Sequence, residues 1–311
     1  MKTAPTPSEI RTLFANSEPI EVWHKASDII ERIDPTHDLS LAHQVFDDVV
    51  RLFRGDYPGY RPITTLYHDL HHTLDVFLCT IRLLHGAHVA GTALSADEIT
   101  CTMIAALMHD IGYAQLIGDD NGTGAKYTKT HVNRGIQFMR SYLSERHFPA
   151  AWADLLEPMI CCTDPARPLS QIHFADNKTH QLGQLLATAD LVGQMADRTY
   201  LEKLLFLYFE FKEAHLGNFR NLHELLRSTQ QFYDVTRKKL DNELGGLHVL
   251  LNHHFKEWFG VERNYYLESI ISNIDYLAQI IRLDEADYLR MLKRGGIVEK
   301  VKSMALPKEI T

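Results

Sequence analysis

Three short stretches of this sequence carry residues that could gather a metal ion. In Tyr67-His68-Asp69-Leu70-His71-His72, the imidazoles of His68 and His72 are four residues apart, a spacing that places both on one face of a helix. His109-Asp110 follows the apolar run Met103 to Met108. An acid at the end of such a run is costly to bury unless it is paired or bound to a cation. Asp190 is a further isolated carboxylate, set in Leu185-Leu186-Ala187-Thr188-Ala189-Asp190-Leu191-Val192. Each stretch alone has an ordinary alternative, as a capping histidine, a solvated helix end or a core-edge aspartate. Taken together, His72, His109, Asp110 and Asp190 offer two imidazoles and two carboxylates. That set suits a divalent ion such as Zn²⁺, Mn²⁺, Fe²⁺ or Mg²⁺, with positions left for water. An ion so held acidifies water and polarises a phosphoryl oxygen, and Asp110 could bridge to a second one.

The elements that must position these residues are helical. Apolar residues recur at three- and four-residue spacing, as in Ile30/Ile33, Phe46/Val49/Val50/Phe53 and Leu204/Leu207/Phe211. About ten helices are expected, in an all-α fold. One should run from Tyr67 through Leu84. A second should start at the capping box Ser95-Ala96-Asp97-Glu98 and stop at Gly112. A third should run from about His131 to Leu143, capped by Thr128 or Thr130, after a polar loop from Gly118 to Lys129 whose Gly118–Gly124 part is either a lid or plain solvated chain. A fourth should carry Leu182, Leu185, Leu186 and Asp190. No linker or repeat divides the chain. A single domain is expected, with residues 1–60 a helical extension, 61–260 the core and 261–311 its terminal helices.

Composition narrows the classes of function. The formal charge, 32 − 40 = −8, argues against a nucleic-acid binder, which needs a basic stripe, and Arg237-Lys238-Lys239 reads as a solvated helix face. The longest apolar run, Leu204 to Phe209, is far short of the roughly 20 residues needed to cross a bilayer, and the N-terminus has no apolar signal core. Four cysteines with no CxxC pair suit a reducing, cytoplasmic setting. The expected partner is a small molecule rather than a nucleic acid or a membrane, and homo-oligomerisation is left open. Cys161 and Cys162 should pack as small apolar residues. His173, His180, His253 and His254 have no partners at useful spacing and are expected at the surface.

The ordered set resembles the HD superfamily of metal-dependent phosphohydrolases. Within it, Tyr67-His68-x-x-x-His72-x-x-Asp75-Val76 and Ala105-Ala106-Leu107-Met108-His109-Asp110 resemble two signatures of the class I cyclic-nucleotide phosphodiesterases. Cys162-Thr163-Asp164 and Ala187-Thr188-Ala189-Asp190-Leu191 resemble two later segments, so the likeness spans roughly residues 60 to 215. It implies an HD-type helical bundle in which His72, His109, Asp110 and Asp190 ligate the metal. It also implies that His68 protonates the departing oxygen, with a nearby carboxylate holding its proton. Asp69, Tyr113, Thr163 and Asp164 fall where residues support the ligands from behind.

The departures matter as much. Tyr113 stands where the phosphodiesterases carry a histidine, no acid precedes His131, and the purine-clamping glutamine has no counterpart. His131 resembles a histidine that other HD proteins use for a second metal or for the phosphate. The expectation is one firmly bound ion, an uncertain second, and hydrolysis of a phosphoester of a nucleotide or similar small molecule, cyclic nucleotides not being specifically supported. An HD-fold di-iron oxygenase and a nucleotide-sensing module without turnover are the alternatives.

Overall fold

The computed structural model describes residues 18–284 and 287–303, together with 5–6, 10 and 13–14. Among these, twelve α-helices, several short 3₁₀ turns and one π-helical turn (Lys239–Glu243) make up the regular structure, with one isolated bridge between Tyr60 and Leu116. The fold is all-α. The first helices are α1 (Pro19–Ile33), α2 (Ser40–Arg54), α3 (Leu70–Val89) and α4 (Ala96–Met108). They are followed by α5 (His131–Glu145), α6 (Trp152–Cys161), α7 (Asn177–Ala196) and α8 (Tyr200–Glu213). The last four are α9 (Leu222–Lys238), α10 (Leu250–Phe259), α11 (Tyr265–Ile280) and α12 (Ile297–Ser303).

Local chemistry accounts for several of these boundaries. Ser95 and Glu98 form the reciprocal capping box that opens α4. Asp176, Asn221 and Asn264 accept from the third backbone N–H of α7, α9 and α11. α3 is buried nearly all round from His72 to Ala87, which makes it the central element. It packs against α1, α4, α7 and α10, while α7 also contacts α6 and α11. Every helix adds side chains to one contiguous apolar core.

Three boundaries differ from the sequence expectation. α3 starts at Leu70 rather than Tyr67, because the Asp69 side chain accepts from the His72 backbone N–H at 2.9 Å. His68 therefore precedes the helix instead of sharing a helical face with His72. α4 ends at Met108, so Gly112 is not its terminal glycine but lies in a 3₁₀ turn, Ile111–Tyr113. A Cβ on Gly112 would sit 1.8 Å from the His131 carbonyl oxygen, so only glycine lets this turn touch the start of α5. Neither threonine caps α5: the Thr128 and Thr130 hydroxyls donate to the carbonyls of Ala125 and Tyr127 instead.

The loop after the His-Asp pair is tied down. The Glu213 carboxylate accepts from the Thr123 backbone N–H at 2.8 Å, the Thr123 hydroxyl at 2.9 Å and the Lys126 N–H at 3.1 Å. Among the described residues, no helix is long and apolar enough to cross a membrane.

Candidate metal centre

Three helices and one turn bring the centre together. His72 comes from the first turn of α3, held there by the Asp69 cap. His109 closes the C-terminal end of α4, with Asp110 directly after it. Asp190 projects from the middle of α7. The resulting group of His72, His109 and Asp110 is buried and could hold a metal ion.

The interatomic distances support this reading. His72 Nε2 and His109 Nε2 are 3.4 Å apart, and each is 3.3 Å from Asp110 Oδ2. Asp190 Oδ1 lies 3.3 Å from His72 Nε2 and 3.9 Å from His109 Nε2. Donors bound at about 2.0–2.2 Å around a common tetrahedral ion would lie roughly 3.3–3.6 Å from one another. Asp110 Oδ2 is buried yet accepts no hydrogen bond, which is costly for a carboxylate oxygen unless a cation faces it. His109 Nδ1 is engaged with the Ala106 carbonyl at 2.8 Å, which leaves Nε2 unprotonated in the neutral ring and free to ligate.

The electrostatics point the same way. Burial alone would lower the His72 pKa, but Asp110 and Asp190 outweigh it and hold it up at about 10. Burial also opposes ionisation of Asp110, and the surrounding histidines still keep its carboxyl well below the ordinary range. Two carboxylates sharing a buried site draw positive charge, which protonated imidazoles or a bound cation would supply.

His68 stands beside this centre on a partner the sequence reading did not name. Its Nδ1 is 2.6 Å from Glu210 Oε2 on α8, and Glu210 Oε1 accepts from the Tyr67 N–H at 2.7 Å. Burial pulls the His68 pKa down, Glu210 more than offsets it, and the net shift is upward. The ring's Nε2 is left as the atom that can carry a transferable proton. Glu210 is itself an isolated acid in Leu204-Leu205-Phe206-Leu207-Tyr208-Phe209-Glu210, the same signal that marked Asp190.

Tyr113 is sandwiched between two imidazoles. Its ring stacks on His68 at 4.8 Å and on His131 at 4.6 Å. His131 Nδ1 is 2.7 Å from the Thr128 carbonyl, and Nε2 is 3.5 Å from Asp110 Oδ1. That oxygen is the one turned away from the His72/His109 pair. Burial lowers the His131 pKa, so the neutral, metal-accepting imidazole is favoured.

A cavity of about 380 Å³ opens from this centre. His68, His72, Asp110, Tyr113, His131 and Asp190 line one part of it, and α7, α8, α9 and the turn after α6 contribute most of the rest.

Other residues singled out in the sequence lie elsewhere. Thr163 lines the cavity, but its hydroxyl donates to the Ile160 carbonyl at 2.8 Å. Asp164 is in the turn after α6, where it accepts from the Ala166 N–H at 2.9 Å, apart from the centre. Cys161 and Cys162 are buried and free. His254 is not a surface residue as expected. It is 2% exposed, with its Nδ1 3.1 Å from that of His85 and its ring stacked on Trp258, because α10 packs across α3. Lys239 also departs from the solvated face expected for it, since it lines the cavity.

Fold and site thus define an all-helical protein with a buried His/Asp group able to hold a metal. The sequence model of the Npun_R2479-like family matches residues 61–122 and 115–247, more than half of the chain and all the residues of the centre. The chain belongs to the Npun_R2479-like family. No match is found among the curated proteins.

Proposed function

We propose that this protein is a metal-dependent phosphohydrolase of the HD type, acting on a small-molecule phosphoester. The observation that carries the reading is the buried Asp110 Oδ2, which accepts no hydrogen bond and lies 3.3 Å from two imidazole nitrogens, beside a cavity lined by His68. His72, His109, Asp110 and Asp190 would hold the ion, as the resemblance to the HD superfamily implies. A divalent ion there supplies Lewis acidity and an acidified water.

The remaining work falls on the chain's own side chains. Asp69 fixes the first turn of α3 and so the height of His72. His68 donates its Nε2 proton to the oxygen that leaves phosphorus, so that the P–O bond breaks to give a neutral alcohol. Glu210 orients that ring and keeps it protonated. His131 faces the second oxygen of Asp110, where it meets the phosphate or a weaker second ion. A second ion so placed would be one that accepts nitrogen, such as Zn²⁺, Mn²⁺ or Fe²⁺, rather than Mg²⁺. The free cysteines suit a reducing, cytoplasmic setting.

Hydrolysis of nitrophenyl phosphate mono- and diesters by protein stripped of metal and then reloaded with Zn²⁺ or Mn²⁺ tests the reading. Turnover should require the ion and vanish in Asp110→Ala. Turnover that persists in Asp110→Ala, or none with any ion and any ester of a broad panel, contradicts it.

A further inference from the structure

The cavity walls restrict what can be attached to the phosphate. One face of α9 presents Leu225, Phe232 and Val235 to the cavity, and α8 opposes it with Leu204, Leu207 and Phe211. The α9 face continues into solvent. Phe232 is 44% and Val235 58% exposed, unusual for large apolar side chains in adjoining turns, so the apolar lining runs out to the rim.

Several hydroxyl donors on these walls are already committed. The Ser228 and Thr229 hydroxyls both donate to the Leu225 carbonyl, at 2.7 and 3.0 Å. Thr163 donates to the Ile160 carbonyl. Tyr67 donates to Gln194 Oε1 at 2.8 Å, and Gln194 Nε2 in turn donates to the Asp190 carbonyl at 3.2 Å. Away from the metal centre, Tyr200, Thr236 and Lys239, with the second hydrogen of Gln194 Nε2, are the side-chain donors left on the walls. A nucleobase carries donors and acceptors along its whole edge, more than these few groups can pair within largely apolar walls. An alkyl or aryl body has nothing to satisfy and gains from contact with the leucine and phenylalanine walls.

We infer that the cavity selects phosphoesters with an apolar alkyl or aryl body over nucleotides. The phosphate sits at the His/Asp centre, and the body lies between α8 and α9 with its far end at Phe232 and Val235. This deepens the phosphohydrolase reading and rests on it for the position of the phosphate.

Equilibrium binding of a non-hydrolysable series, ethyl- to decylphosphonate, to the Mn²⁺- or Zn²⁺-loaded protein tests the inference without turnover. Affinity should rise roughly three- to fourfold per added methylene until the chain passes the rim. Adenosine and guanosine monophosphates should bind no tighter than the shortest phosphonates. Phe232→Ser and Val235→Ser, at exposed positions where folding is least at risk, should flatten the rise for the longest chains. Affinity independent of chain length, no binding by any phosphonate, or a nucleotide outcompeting decylphosphonate would overturn the inference. A steep chain-length dependence in a protein that hydrolyses no ester would keep the apolar preference and discard the phosphohydrolase. Hydrolysis with no chain-length dependence would do the reverse.

Discussion

Glu210 Oε2 lies 2.6 Å from His68 Nδ1, across 142 residues of sequence. This carboxylate, buried at the end of the apolar face of α8, is what makes a proton on His68 tenable inside the protein. Replacing Glu210 with Gln should leave metal content unchanged and cut turnover of esters with poor leaving groups about 10- to 100-fold. A general acid works only while protonated, so activity falls as pH rises through its pKa. Loss of the Glu210 charge lowers that pKa, and the falling limb of the pH–rate profile should move to lower pH. A profile that stays in place would show that Glu210 does not act through His68.

His68→Ala separates proton donation from metal binding. Metal occupancy should remain near wild type, while turnover of alkyl esters drops by roughly 10²–10⁴-fold. Nitrophenyl esters need little protonation of the leaving oxygen and should suffer much less. Equal losses on both ester types, measured as kcat/KM, would remove His68 from the role of acid.

Under the proposed function, His131 would govern a second ion. Asp110 Oδ1 and His131 Nε2, 3.5 Å apart, are the protein atoms that would face it, so a second equivalent of metal should bind more weakly than the first. Calorimetric titration should resolve one tight and one weak event in the wild type, and His131→Ala should lose the weak one. Two equally tight events surviving in His131→Ala would contradict this assignment.

Close packing at Gly112 positions His131. A methyl group there would meet the His131 carbonyl oxygen at 1.8 Å, so Gly112→Ala must push α5 away from the 3₁₀ turn. The expected cost is about 1–3 kcal/mol in denaturant unfolding, with the second metal site weakened as well. Wild-type stability in this variant would mean that the turn and α5 are not in the contact described.

The buried His85–His254 pair sets an acid limit on stability. Burial, together with Arg82, His85 and Arg32, holds the His254 pKa well below its ordinary value. Between that lowered value and about 6.5 the unfolded chain binds a proton that the folded chain refuses, so stability falls as pH drops below about 6.5. Thermal unfolding should show a decrease in Tm from pH 7 to pH 5, and His254→Gln should reduce that decrease. An acid slope identical in wild type and variant would assign it to other groups.

The centre was legible in the sequence where a charged residue interrupts an apolar helical run. His109-Asp110 and Asp190 stand out for that reason, and His72 by its spacing from His68. Glu210 carries the same mark, but nothing in the spacing ties it to His68, because the link is made by α8 crossing the start of α3. The off-helix position of His68 was hidden by the equally good four-residue spacing, which the Asp69 cap overrides. His254 shows the opposite failure. Next to His253 on an amphipathic helix, it becomes a core residue only through packing against α3. Periodicity and caps point to about ten helices, and twelve are present among the described residues. The apolar cavity does not, since Phe232 and Val235 read equally well as ordinary half-covered positions on α9.

The metal content of the purified protein tests the central claim most directly. After dialysis against Zn²⁺ or Mn²⁺ and removal of free ion, elemental analysis should find about one tightly held ion per chain. Asp110→Ala and His72→Ala should each lose it while keeping the wild-type helical circular dichroism. Protein that retains no ion under these conditions, or variants that retain as much as the wild type, would show that His72, His109, Asp110 and Asp190 are not a metal centre.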